Sequence, residues 1–157
     1  MSVLAGRSAI HTGGSLSAFS GEGTATTSGY VMLRSANSGA NGASGMLTFS
    51  SGTTTSGNTG AVMVGSGNAV GGKGGLLSVT VGSGNVGVGG AVVVTAGLTS
   101  DTVGGSVTID SGLGATIGGD MMLAAGVGTA NTGGSYTLDS GEGTATTSGS
   151  IKIRSTN

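Results

Sequence analysis

Glycine recurs along this chain with a period of about fifteen residues. Ten leading glycines are separated by intervals of 14 to 16 residues, and they span most of the 157-residue sequence. They are Gly14, Gly29, Gly45, Gly60, Gly75, Gly90, Gly105, Gly119, Gly134 and Gly149. Spacing this regular is typical of repeat proteins, in which each period forms one structural unit.

The composition narrows the class of protein. The chain has 37 Gly but no Pro and no glycine at every third position, which excludes collagen. Charged residues make up 7% of the sequence, and the formal net charge is −1, so nothing predicts a nucleic-acid partner. The absence of cysteine excludes disulfides and thiolate metal sites. No apolar run is long enough to predict a membrane span, and the first residues do not resemble a secretory signal.

Within each repeat, counted from its leading glycine, apolar and polar positions alternate. The third and fifth positions are almost always large and apolar, the seventh is small, and the eighth is usually Gly. A period of two predicts a strand with one buried face. The residues predicted to form a core ladder on that face are Val31, Leu33, Val62, Val64, Val92, Val94, Val107, Ile109, Ile151 and Ile153.

The repeat predicts a fold made of stacked strands. Gly at the eighth position is expected to adopt a positive φ and turn the chain into a second short strand. We therefore predict an all-β, single-domain parallel β-solenoid over residues 1–157. It would have about ten coils of 15 residues, a flattened two-sheet cross-section, and partial coils at 1–13 and 149–157. Burying two apolar side chains per coil contributes roughly 3–6 kcal/mol. Ordering 15 residues costs roughly 15–30 kcal/mol, so coils would need to stack on one another.

A longer repeat overlies the short one. Residues 12–37 match residues 132–157 at an offset of 120, and GEGTATTSG is identical at 21–29 and 141–149. The offset equals eight periods of fifteen, which indicates duplication of a block of repeats or unequal divergence of individual repeats.

The recurring V/L-x-V/L-x-S-G pattern, set among Gly, Ser and Thr, resembles the glycine-, serine- and threonine-rich β-solenoid repeat proteins of microbial and algal cell surfaces. The resemblance covers nearly the whole chain, but it concerns only the type of fold. It implies a fibre, adhesin or wall component with an extracellular or cell-surface location, and it carries over no functional residue.

Groups that could do chemistry are few and scattered. Residues 82–87 match G-x-G-x-x-G, and residues 67–73 match the front of a P-loop. Both motifs need a following helix to hold phosphate, and no helix is predicted. His11 is the only histidine, and the aspartates follow no calcium-binding repeat. We therefore predict no catalytic residue, no metal site and no cofactor, and we do not expect an enzyme.

The outward positions carry an unexpected apolar set. Between residues 35 and 100 the only charged residue is Lys73. The side chains predicted to form a lateral contact face are Tyr30, Met32, Met46, Met63, Leu76 and Val93. Exposed apolar faces usually mark protein contacts, and the open terminal rungs of a solenoid would present unpaired strand edges. The predicted partner is therefore the chain itself, head to tail through the open rungs and laterally through the apolar face, in an extracellular or cell-surface structural filament.

An alternative is an ice-binding or adhesive surface protein using a flat solenoid face. Thr24 with Thr26, and Thr144 with Thr146, are the pairs that favour it. The intervening repeats do not continue a threonine face.

Overall fold

A computed structural model describes residues 2–155, and it contains neither a helix nor a strand in that range. The chain is irregular and is interrupted by short bends that recur about every fifteen residues. The bends lie at 9–11, 24–26, 40–42, 55–57, 70–72, 85–88, 100–102, 115–117, 129–131 and 144–146. The period inferred from glycine is therefore present in the backbone. The predicted all-β solenoid, with its two sheets and stacked coils, is wrong.

The chain divides into two units, Met1–Val79 and Thr80–Asn157. Each contains five of the bends. The units are therefore alike in their local construction, and within each one the repeat of about fifteen residues is the basic element.

Backbone hydrogen bonds close the chain around six of the bends. In each case the N–H of a leading glycine donates to the carbonyl oxygen of a glycine seven or eight residues earlier, at 2.8–2.9 Å. We call these the closed loops; they are 6–14, 21–29, 97–105, 112–119, 126–134 and 141–149. The equivalent segments 36–45, 52–60, 67–75 and 82–90 have no such bond within the described chain, and we call them the open loops.

The base of each closed loop explains why the leading residue is glycine. A Cβ built on Gly14 would lie 2.9 Å from the nitrogen of Gly6, and one on Gly105 would lie 3.1 Å from the nitrogen of Gly97. Both distances are shorter than ordinary van der Waals contact. The same crowding explains the small seventh residue, because a Cβ on Gly29 would lie 3.3 Å from the Cβ of Ser20. The glycine period therefore marks places where two stretches of backbone approach closely.

Positive φ angles occur at other glycines than the ones we predicted. Gly57, Gly71 and Gly87 have φ of 113°, 74° and 79°. All three lie within bends of open loops, at the twelfth or thirteenth position of their repeats. Among the described residues no glycine at the eighth position has a positive φ, so that prediction is wrong. The eighth position is instead the acceptor side of the loop-closing bond.

No residue between 2 and 155 is buried. The predicted core ladder is exposed throughout, from 46% at Ile151 to 86% at Ile153. The other eight members are Val31, Leu33, Val62, Val64, Val92, Val94, Val107 and Ile109, which lie between those limits. The solvent-accessible area is 15720 Å², whereas a compact chain of the same 14.5 kDa mass would expose about 6,900 Å². The structure therefore has no core in the described range.

The alternation of side chains is nevertheless visible. Val62 is 56% exposed and the next residue, Met63, is 91% exposed. Side chains do alternate between a more shielded and a less shielded side. A strand also needs a partner strand whose N–H and C=O groups complete a ladder, and the backbone hydrogen bonds here join only residues within one loop. The alternation therefore appears as a difference in exposure, whereas the predicted strand with one buried face is wrong.

The most shielded residues lie at the start of the loops. Two positions of the repeat reach half-burial, the seventh and the tenth. The half-buried residues are Ser35, Ser51 and Ala96 at the seventh position and Gly23, Thr99 and Gly143 at the tenth. The best-packed residues are therefore mostly small, and each lies directly before a loop or at the third residue of a closed loop.

Candidate functional site

The residues predicted for the lateral contact face are all exposed. Tyr30, Met32, Met46, Met63 and Leu76 lie in the first unit, and Val93 lies in the second. Three of them, Met46, Met63 and Leu76, come from consecutive repeats and are 89–91% exposed. We call these three residues the apolar row. Other large apolar side chains of this unit are equally exposed, but these three come from successive repeats in a part of the sequence whose only charged residue is Lys73, and we therefore select them as the candidate site.

The position of each row residue follows from its place in the repeat. Met46 and Leu76 occupy the second position, and Met63 occupies the fourth. These are the even positions, which alternate with the partly shielded third-position residues Leu47, Val62 and Leu77. The sequence thus places one long, flexible apolar side chain on the more exposed side of each of three successive repeats.

The electrostatic surroundings of the row are neutral. No charged residue occurs between 35 and 72, and Lys73 is the only charged residue between 35 and 100. The open loops 36–45, 52–60 and 67–75 occupy the same part of the chain. The uncharged part of the first unit is thus also the part whose loops lack the closing bond. Two uncharged surfaces of this kind can approach without electrostatic repulsion or loss of ion solvation.

The described residues provide no enclosed site. No pocket is found among them, and no group of three or more His, Asp or Glu side chains is close enough together to hold a metal ion. The P-loop-like segment 67–73 runs into irregular chain, and so does the G-x-G-x-x-G segment 82–87. Without a helix N-terminus neither segment forms a phosphate cradle.

The threonine pairs considered for ice binding lie in bends. Thr24 and Thr26 belong to the bend at 24–26, and Thr144 and Thr146 belong to the bend at 144–146. All four are exposed. A regular threonine array needs a flat sheet to fix its spacing, and residues 2–155 contain no sheet.

Comparison with known proteins yields no relative. No protein-family model matches the chain, and neither a curated protein nor a solved structure shows significant similarity to it. Among the described residues, no helix has the length and apolar character needed to cross a membrane.

Sequence reasoning missed the loop-closing bonds. A partial signal is a second glycine position, since Gly stands eight residues before the next leading glycine in most repeats. The same pair occurs in the open loops 52–60, 67–75 and 82–90, so it marks where closure is possible rather than where it occurs. Two glycines at that separation allow backbone groups to meet at the base of a loop without a Cβ between them. We interpreted the earlier glycine as a strand corner, whereas it is the acceptor in the loop closure.

Proposed function

We propose that this protein is a structural, non-enzymatic repeat protein that associates laterally with copies of itself, in an assembly outside the cell or on its surface. The observation that supports it is the exposure of the apolar side chains, above all the apolar row. No residue in the described chain is buried, yet apolar residues make up 36% of the sequence. A chain of this composition gains stability by covering those side chains with another molecule.

The available surface is sufficient for such an assembly. The exposed area exceeds that of a compact chain of equal mass by about 8,800 Å². A standard protein interface needs about 800 Å² from each partner. Full burial of one Met, Leu or Val side chain contributes roughly 1.5–3 kcal/mol. One row of three therefore supplies a substantial part of the free energy of association.

A second copy fits the row better than an unrelated partner does. The three row residues come from successive repeats and are 17 and 13 residues apart, and a second copy of the chain presents the same three side chains at the same spacing. The absence of charge between 35 and 72 removes the repulsion that usually prevents identical surfaces from pairing. An interface between the same patches on two copies can close as a symmetric pair, and a displaced register would continue as a fibre.

The test is sedimentation velocity over a range of protein concentrations. The wild-type chain should form larger species as concentration rises. The triple variant Met46→Ser, Met63→Ser and Leu76→Ser should stay smaller at the same concentrations. A matched control replaces Leu4, Ile10 and Val70, which are equally exposed but lie off the row, by Ser. It should behave like the wild type.

Two results would contradict the proposal. If the wild-type chain remains a monomer at every concentration, self-association is wrong. If both triple variants lose association equally, the chain associates through apolar side chains in general and the row has no special role.

A further inference from the structure

We infer that the Asn41–Gly42 peptide is a site of spontaneous deamidation, through which the chain acquires a negative charge in its uncharged segment. Asn41 is the only asparagine in the sequence that is followed by glycine. Its repeat, from Gly29 to Gly45, is also the only one of 16 residues. The site therefore lies where the repeat has one residue more than its usual fifteen.

The local structure leaves the reacting groups unrestrained. Asn41 and Gly42 are exposed and lie in the turn at 40–42, in the open loop 36–45. Neither the Gly42 N–H nor the Asn41 side chain makes a hydrogen bond among the described residues. The nearest atom to a Cβ built on Gly42 would be the Cβ of Ser38 at 3.9 Å. Nothing holds the backbone nitrogen away from the neighbouring side chain.

The reaction uses only the chain and water. The backbone nitrogen of Gly42 loses its proton to solvent and attacks the Cγ of Asn41, forming a five-membered imide. The Cγ–Nδ2 bond breaks, and the amide nitrogen leaves as ammonia after taking a proton from water. Water then opens the ring at either carbonyl, which gives aspartate or isoaspartate. Glycine at the second position favours the attack because it has no Cβ to hinder the approach and its backbone is flexible.

The product changes the electrostatics of the first unit. Residues 35–72 contain no charged side chain, and the reaction introduces one carboxylate among them. A charge at an apolar contact must be desolvated without a partner, and two copies would bring like charges together. Deamidation is therefore expected to weaken self-association as the protein ages. This consequence rests on the proposed function, whereas the reaction does not.

The reaction can be followed in one peptide. Cleavage after Arg34 and Lys73 releases residues 35–73, which contain Asn37, Asn41, Asn58 and Asn68. The full-length chain is incubated in neutral buffer, digested at intervals, and analysed by fragmentation mass spectrometry. Asn41 should gain the mass of deamidation about tenfold faster than the other three, because only Asn41 is followed by a residue without a Cβ. Equal rates at all four asparagines would overturn the inference.

Gly42→Ala is the matched variant. Its Cβ has room and Gly42 does not have a positive φ, so the turn is expected to remain. Attack on Asn41 should become slower by about tenfold, because the added Cβ hinders the approach and makes the backbone less flexible. An unchanged rate in this variant would also refute the mechanism.

Asn41→Asp carries the negative charge of the deamidated product from the start. It therefore tests the effect on self-association separately from the reaction. Weaker association of this variant than of Asn41→Gln in sedimentation supports the effect on assembly. Equal association of the two, with normal deamidation at Asn41, would refute that effect and leave the modification site intact. Failure of the wild type to associate would instead count against the proposed function.

Discussion

The loop-closing bond at Gly14 offers the sharpest test of the structure. The N–H of Gly14 donates to the carbonyl oxygen of Gly6 at 2.8 Å. In Gly14→Ala the new Cβ would lie 2.9 Å from the Gly6 nitrogen, 3.4 Å from its oxygen and 3.5 Å from the Cβ of Ala5. Relief of this crowding to ordinary contact requires the two chain segments at the base of the loop to separate by about 0.5–1 Å. That shift would take the hydrogen bond beyond the usual 2.7–3.2 Å range.

The expected effect follows from the strength of one backbone hydrogen bond. A net contribution of about 0.5–1.5 kcal/mol corresponds to roughly two- to tenfold protection of the amide against exchange with solvent. Gly14→Ala should lose that protection. Gly6→Ala is the control, because a Cβ there meets nothing within 4 Å and Gly6 does not have a positive φ.

The assay is amide hydrogen exchange at residue 14, measured by NMR on dilute, monomeric protein and corrected for intrinsic rates. Exchange at residue 14 should accelerate in Gly14→Ala and stay at the wild-type value in Gly6→Ala. Equal protection in the two variants would show that close approach at the loop base is not the reason for glycine at the leading position.

Two further predictions concern association and the bends. Light scattering by the wild-type chain should increase on warming and on addition of sulfate, and decrease in urea, because apolar contacts strengthen under the first two conditions; weaker scattering on warming would argue against an apolar contact. Gly71→Ala should displace the bend at 70–72, since its φ of 74° costs a residue with a Cβ about 1–2 kcal/mol. Gly74→Ala, which meets nothing within 4 Å, should leave the NMR chemical shifts of that bend unchanged.

Local features of this chain could be predicted from its sequence because each depends only on residues that are close together in the sequence. The spacing of the leading glycines predicted the period of the bends, but the bends lie near the twelfth position of each repeat, in the segment predicted as a second strand. The segments 21–29 and 141–149, identical in sequence, adopt the same closed loop, with the same 2.9 Å bond and a bend at the same three residues. The alternation of Val62 and Met63 likewise appears as a difference in exposure.

The pairing of distant segments could not be predicted in the same way. Our prediction of a sheet at Val92, Val94, Val107 and Ile109 assumed that successive repeats stack, because burial within one repeat does not offset its loss of entropy. An entropy cost larger than the gain from burial is equally compatible with repeats that do not stack and that leave their side chains exposed. The structure takes the second alternative over residues 2–155, and it leaves these side chains exposed.

The sequence by itself thus determined the period of about fifteen residues and the difference in exposure between neighbouring side chains such as Val62 and Met63. Each follows from steric rules that act over a few residues, such as the absence of a Cβ in glycine. Only the tertiary structure decided that the seventh and tenth positions are the most shielded, that loops close through glycine backbone groups, and that the apolar side chains remain uncovered. Those outcomes depend on which segments meet in space, and a repeated local pattern is compatible with more than one such arrangement.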